Sequence, residues 1–110
     1  MSMVVDIHKV RGKTPEFDVY IGRTVRYTDY KASKWANYSA TLEDYEMWVR
    51  STNLIDSLHE LEGKALGCWC VTTRELEPVR CHGQVLMRLV KEKEEEYWLG
   101  ALSVSLRRLL

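Results

Sequence analysis

The chain has no excess of either charge, since sixteen lysines and arginines balance sixteen aspartates and glutamates. That excludes the overall basicity that drives sequence-independent nucleic-acid binding through counterion release, so any anion site must be local. No stretch approaches the roughly 18 consecutive apolar residues of a membrane-spanning helix. The opening Met1-Ser2-Met3-Val4-Val5-Asp6-Ile7-His8 has no basic region ahead of an apolar one. The expectation is a cytoplasmic protein that is neither exported nor anchored, with no membrane partner. Cysteine is scarce and odd in number, three in all, which argues against a disulfide framework and for thiols, metal ligands or core residues. Also missing are a phosphate-binding glycine loop ending in Gly-Lys-Ser/Thr, a Gly-x-Ser-x-Gly elbow and a His-Glu-x-x-His pair.

What is present reads as one globular domain. Apolar residues make up 45% and charged residues 29% of 110 positions, enough to bury a core without staples. The expected organisation is a single domain over 1–110, with its core at about 3–96 and an apolar segment at 97–110.

Runs rich in β-branched residues, Met3 to Val10 and Phe17 to Ile21, predict strands, the second closed by Gly22, with Arg11-Gly12-Lys13-Thr14-Pro15 as the loop between them. Thr24 to Ala40 shows no clean periodicity, and a stretch that long in a small domain points to a functional loop. Thr41 followed by Asp44 marks a helix N-terminus, with Leu42, Tyr45 and Trp48 or Val49 at helical spacing behind it. The Ser51-Thr52-Asn53 run competes with the backbone for hydrogen bonds, dividing this region into helices at about 41–51 and 53–62, stopped by Gly63.

Lys64 to Val71 is short, apolar and bounded by turn signals. It predicts a buried strand reached by a helical crossover, hence parallel to the strand ending at Ile21. Beyond Pro78, Val85, Leu86, Leu89 and Val90 form one helical face, and Lys91 to Glu96 reads as its solvated continuation. The tail fits helix, through Leu99, Leu102, Leu106 and Leu109, or strand, through Leu102, Val104 and Leu106. Helix is preferred, and its apolar residues must pack on the domain or on a second copy, making a homodimer one expectation. The fold class is therefore α/β: a small single domain with a three-stranded, mostly parallel sheet flanked by helices in Rossmann-like layering.

Two constellations carry chemistry. Cys68 and Cys70 lie two apart on a strand and share a face, while Cys81 and His82 return near that strand's end where the next helix begins. Three thiols and an imidazole make a tetrahedral zinc set of Cys68, Cys70, Cys81 and His82. The same residues also suit small core hydrophobes, or a reactive Cys81 paired with His82 as a catalytic couple, its thiolate favoured by a helix N-terminus and Arg80. The second constellation is Tyr20 to Tyr38, where Arg23, Arg26, Lys31 and Lys34 against Asp29 are interleaved with Tyr20, Tyr27, Tyr30, Trp35 and Tyr38. Arginine forks and aromatic faces suit a nucleotide or, less favoured, single-stranded nucleic acid, and Gly22 lets backbone approach a phosphate. In a parallel α/β sheet both constellations fall beyond strand C-termini, where ligands gather.

Val19-Tyr20-Ile21-Gly22-Arg23, Ser33-Lys34-Trp35-Ala36-Asn37, Leu61 to Cys70 and Cys81-His82-Gly83-Gln84-Val85-Leu86, in that order, resemble the phage-, bacterial- and virus-borne family catalogued as domain of unknown function 4326. The resemblance runs from about Val4 to Val90, and its most specific part is Cys-Trp-Cys followed by Cys-His-Gly. The family pattern has Gly and Pro where this chain has Ala36 and Tyr38. It implies a small α/β fold and a viral or prophage source, hence the host cytoplasm, and no activity comes with it. Carried over by position, the matching residues are Gly22, Arg23, Lys34, Trp35, Asn37, Cys68, Trp69, Cys70, Cys81 and His82. The resulting expectation is a crevice in which Gly22, Arg23, Lys34, Trp35, Asn37 and Trp69 bind a nucleotide-like, phosphate-bearing molecule beside the Cys/His cluster, with an enzyme acting on that ligand as one form of it. The alternative is a zinc-stabilised module that binds a protein or nucleic acid.

Overall fold

A computed structural model describes the backbone of residues 2–109 and the side chains of residues 2–96. Three short strands, β1 (Met3–Asp6), β2 (Val19–Tyr20) and β3 (Ala65–Cys68), form one parallel sheet in the order β1-β3-β2. The central strand, Ala65-Leu66-Gly67-Cys68, is apolar on both faces, as a strand covered on both faces requires. The register sets the layers. Val4, Leu66 and Val19 stand abreast, as do Val5, Gly67 and Tyr20, and matched positions share a face.

Val4 and Leu66 enter the core, where they meet Ile21, Tyr45, Val49, Leu58, Leu61, Leu86 and Leu89. On the other face Phe17 covers Gly67 so closely that a Cβ there would sit 2.6 Å from its ring. Tyr20, Tyr30 and Trp69 extend this cover, with Tyr20 and Tyr30 centroids 4.9 Å apart and Trp69 edge-on to Tyr30 at 5.6 Å. The expected α/β class, with a three-stranded parallel sheet and three helices, is the fold observed.

Helix α1 (Leu42–Ser51) starts as its sequence dictates, with Thr41 Oγ1 accepting from the Asp44 amide at 3.0 Å. Asn53–Leu61 is a 3-10 helix rather than an α-helix. Side chains three apart eclipse in that geometry, which lines up Ile55, Leu58 and Leu61; Leu58 and Leu61 are buried and Ile55 packs against the core. Helix α2 (His82–Leu109) runs unbroken for 28 residues, so the tail continues as helix. The side chains of 97–110, and with them the homodimer expected there, lie outside the described residues. Arg50 joins α1 to α2 by bonding Glu46 at 3.0 Å and Glu92 at 2.7 Å.

β1 is shorter than the sequence suggests. Asp6 Oδ1 accepts from the His8 amide at 3.0 Å and turns the chain. Val10 and Lys13 then bond reciprocally around Arg11 and Gly12, both with positive φ, in a tight two-residue hairpin. The stretch from Thr24 to Ala40 lacks regular structure, as its missing periodicity implies, and is held by Val25–Tyr30 and Gly22–Ser33 backbone bonds.

Candidate functional site

β3 ends at Cys68, so Cys70 lies not on the strand, as its spacing suggests, but with Trp69 in the bend that follows. Trp69 turns to the aromatic face, donating through Nε1 to Tyr20 Oη at 2.8 Å. Cys68 and Cys70 turn toward the start of α2, where Cys81 stands just before the first helical residue. Cys68 and Cys81 are buried and Cys70 is exposed. The Cys68 and Cys81 sulfurs are 3.5 Å apart, and all three sulfurs lie within 4.8 Å of one another.

The chain around Cys81 is fastened by Gln84. Its Oε1 accepts from the Arg80 amide at 2.7 Å and the Cys81 amide at 3.2 Å, while its Nε2 donates to the Glu75 and Pro78 carbonyls. The Cys81 carbonyl in turn accepts from the Gln84 amide at 3.0 Å, and Cys81 Sγ accepts from the Gly83 amide at 3.4 Å. Gln84 supplies one half of a capping box, its side chain taking the Cys81 amide, while the thiol caps the Gly83 amide one residue earlier than a capping-box hydroxyl would; Cys-x-x-Gln is its signal in the sequence. Gly83 must be glycine because a Cβ there would come within 2.8 Å of Val4.

His82 is placed differently from its three sulfur neighbours. Its Nε2 bonds the Ile21 carbonyl at 2.7 Å, and since a carbonyl only accepts, Nε2 carries the proton and Nδ1 the lone pair. Nδ1 faces Cys81 Sγ at 3.8 Å, and the ring packs edge-on against Tyr45 at 5.2 Å. Burial pulls the imidazole's basicity down, reinforced by the Arg23 charge and opposed by the Ile21 carbonyl. The described residues that group as metal ligands are Cys68, Cys70 and Cys81, without His82.

The Cys68 and Cys81 sulfurs are in hydrogen-bond contact. That contact lowers the Cys68 thiol and, together with burial, raises Cys81, while the Gly83 amide on Cys81 Sγ opposes the rise. Burial raises Cys70 as well.

The cluster floors a crevice of about 260 Å³ lined by Gly22, Arg23, Thr24, Val25, Asn37, Cys68, Trp69, Cys70 and His82. Gly22 allows Tyr20 to fold back over it, since a Cβ would lie 2.5 Å from Tyr20 Oη. Arg23 is preset: its Nε donates to the Asn37 carbonyl at 2.7 Å and its guanidinium lies 4.7 Å above the Tyr38 ring. Two expected ligand contacts lie elsewhere. Trp35 is in the core, 2% exposed, with its carbonyl accepting from Tyr45 Oη at 2.7 Å. Lys34 is paired with Glu60 and lies over the Trp35 ring. Both are drawn away because burying an indole contributes more than lining a wet loop. Tyr20, which joins Trp69 to the Arg23 carbonyl, was counted only as one aromatic among five.

A larger cleft of about 520 Å³ lies between the 3-10 helix and α2. Its lining carries Asp56, His59, Glu62, Lys93 and Glu94 but no thiol, and among the described residues it is the three cysteines that group as metal ligands. Among the described residues no helix is long and apolar enough to cross a membrane.

Comparison with known proteins places this arrangement. The model of the Domain of unknown function (DUF4326) family matches residues 5–92. The chain is also 33% identical over 87 residues to an uncharacterized protein of Acanthamoeba polyphaga mimivirus, covering 67% of each chain. No solved structure matches. The chain belongs to the DUF4326 family, and the Cys68, Cys70, Cys81 and His82 positions lie inside the matched region.

Proposed function

We propose that this DUF4326 domain holds a zinc ion on Cys68, Cys70 and Cys81 at the floor of the crevice beyond the ends of β2 and β3. The observation that carries the reading is three sulfurs within 4.8 Å of one another. Zinc–sulfur bonds of about 2.3 Å at tetrahedral angles separate sulfurs by about 3.8 Å, so small side-chain adjustments suffice. Amide donors supply the outer shell such sites use, with Gly83 N–H on Cys81 Sγ and Gln84 holding the backbone on either side. Thiolate chemistry selects zinc over hard cations.

A second reading is favoured by one further feature, the preset Arg23. Its two terminal nitrogens have no acceptor among the described residues, so a phosphate-bearing ligand such as a nucleotide has a fork to bind at the crevice wall.

Elemental analysis of protein purified without chelator should give about one zinc per chain, lost in Cys68→Ser. Folded protein that stays metal-free after incubation with zinc sinks the zinc reading. Thermal-shift screening against nucleotides should give a hit that Arg23→Ala abolishes, and a clean negative panel sinks the second reading.

A further inference from the structure

Resting on the zinc reading above, we propose that the metal's fourth position opens onto the crevice. There it takes an oxygen of a small oxyanion, a carboxylate or phosphate group, whose remaining oxygens Arg23 grips. Structural zinc sites are closed by four protein ligands, whereas sites that exchange ligands keep three and leave one position free. The described donor atoms converge as three, and His82 Nδ1 is not among them.

His82 is restrained from two sides, by the Nε2 bond to the Ile21 carbonyl at 2.7 Å and by edge-on packing against Tyr45. Nδ1 faces Cys81 Sγ but does not lie within 4.8 Å of all three sulfurs, so the converged donor set is the three thiols alone. His82 is therefore a positioning residue, its Nδ1 lone pair turned to Cys81 Sγ at 3.8 Å.

The free side of the cluster is the crevice side. Cys70 is exposed, and Cys68 and Cys70 line the crevice together with Arg23, Thr24 and Asn37. Arg23 spends its Nε on the Asn37 carbonyl and its face on Tyr38, which fixes the guanidinium while leaving the terminal nitrogens for a ligand. The charges agree with an anion. Three thiolates, one divalent zinc and one guanidinium sum to zero, so a monoanionic group leaves the site with less negative charge than a zinc on four thiolates carries. At about 260 Å³ the crevice is smaller than pockets for whole drug-sized ligands, which suits a small anion or the anionic end of a longer molecule. Binding is a ligand exchange in which water leaves the metal and an oxyanion lone pair takes its place, with no change in oxidation state.

The test uses full-length protein loaded with cobalt(II), whose visible absorption reports its coordination, titrated separately with inorganic phosphate and with acetate. The expected result is a saturable change in the cobalt bands with at least one probe. Arg23→Ala should raise the half-saturating concentration by about tenfold or more at unchanged cobalt uptake, with Arg23→Lys between the two. His82→Ala should leave the thiolate-to-cobalt band and the metal stoichiometry in place. Cobalt bands unmoved by either probe, or bands in the anion-free protein that shift from four-coordinate to lower coordination in His82→Ala, overturn the open position while leaving the zinc site standing. Failure to take up zinc or cobalt at all overturns the zinc reading itself, and this inference with it.

Discussion

The Lys34-Trp35 loop and the Cys68/Cys81 corner look equally rich in chemistry along the chain, yet the fold uses them in opposite ways. In the loop, Trp35 is taken into the core and Lys34 into an ion pair with Glu60, so neither has a face left for a ligand. At the corner, two buried sulfurs sit 3.5 Å apart with a third within 4.8 Å, an arrangement that packing alone does not require. A thiol buries little area and is a weak donor, so grouping three of them stabilises the fold little and leaves their lone pairs for a metal. Size and hydrogen-bonding capacity, more than residue type, decide which residues the fold consumes.

The strongest way to break this comparison is Trp35→Ala. Removing a buried indole leaves a cavity and should cost about 3–5 kcal/mol of unfolding free energy, measured by urea denaturation. Zinc per folded chain should stay unchanged. If zinc is lost while the protein remains folded, Trp35 belongs to the site after all. Cys68→Ser should behave in the reverse manner: metal is lost, and the metal-free stability moves much less.

Gln84→Ala tests whether the corner is prearranged. It leaves the Arg80 and Cys81 amides and the Glu75 and Pro78 carbonyls without their partner, an expected loss of about 1–3 kcal/mol. Competition against a chromophoric chelator should show weaker zinc retention as well. Gln84→Glu keeps the acceptor for the two amides and loses the donors to the carbonyls, so it should fall between wild type and Gln84→Ala. Retention equal to wild type in both variants would mean that the thiols find the metal without this scaffold. Acid should release the metal from every zinc-binding form, because the metal requires thiolates and protons compete for them; retention therefore falls as pH falls.

The parts of this contrast that sequence could reach are the ones written in local chemistry. Thr41 marked the start of α1 because a hydroxyl three residues ahead of an amide is a short-range device. The parallel pairing of β2 and β3 followed from the helical crossover between them. The closeness of Cys68, Cys70 and Cys81 was legible from their spacing and one return loop, although Cys70 reaches the others from a bend rather than along the strand. Tertiary decisions were not. Ile55, Leu58 and Leu61, three apart, fit an α-helical face as well as a 3-10 one, so the 3-10 helix was hidden. Nothing along the chain ranks β3 as the central strand. His82 next to Cys81 reads as a ligand by position, yet its Nδ1 stands outside the three-sulfur group while Nε2 bonds Ile21, sixty-one residues away. Trp35 and Tyr20 were grouped by type, yet a buried indole and a phenol bridging Trp69 to Arg23 have different fates that only packing assigns.

The smallest expected effect sharpens the comparison most finely. Lys34→Ala removes an exposed ion pair with Glu60, where both side chains are about half exposed and water screens the charges. Such pairs contribute about 0.2–1 kcal/mol, so the urea midpoint should move slightly if at all. The Lys34 charge also leaves the neighbourhood of the loop. If the loop bound the anion, phosphate affinity in the cobalt titration would fall with it, as for Arg23→Ala. The expected result is a titration superimposable on wild type, because Lys34 spends its charge on Glu60 and on the face of Trp35, whereas Arg23 has terminal nitrogens without an acceptor among the described residues and lines the crevice. The two cations lie eleven residues apart in one basic stretch, so this pair of variants separates a ligand contact from a solvated charge without disturbing the core.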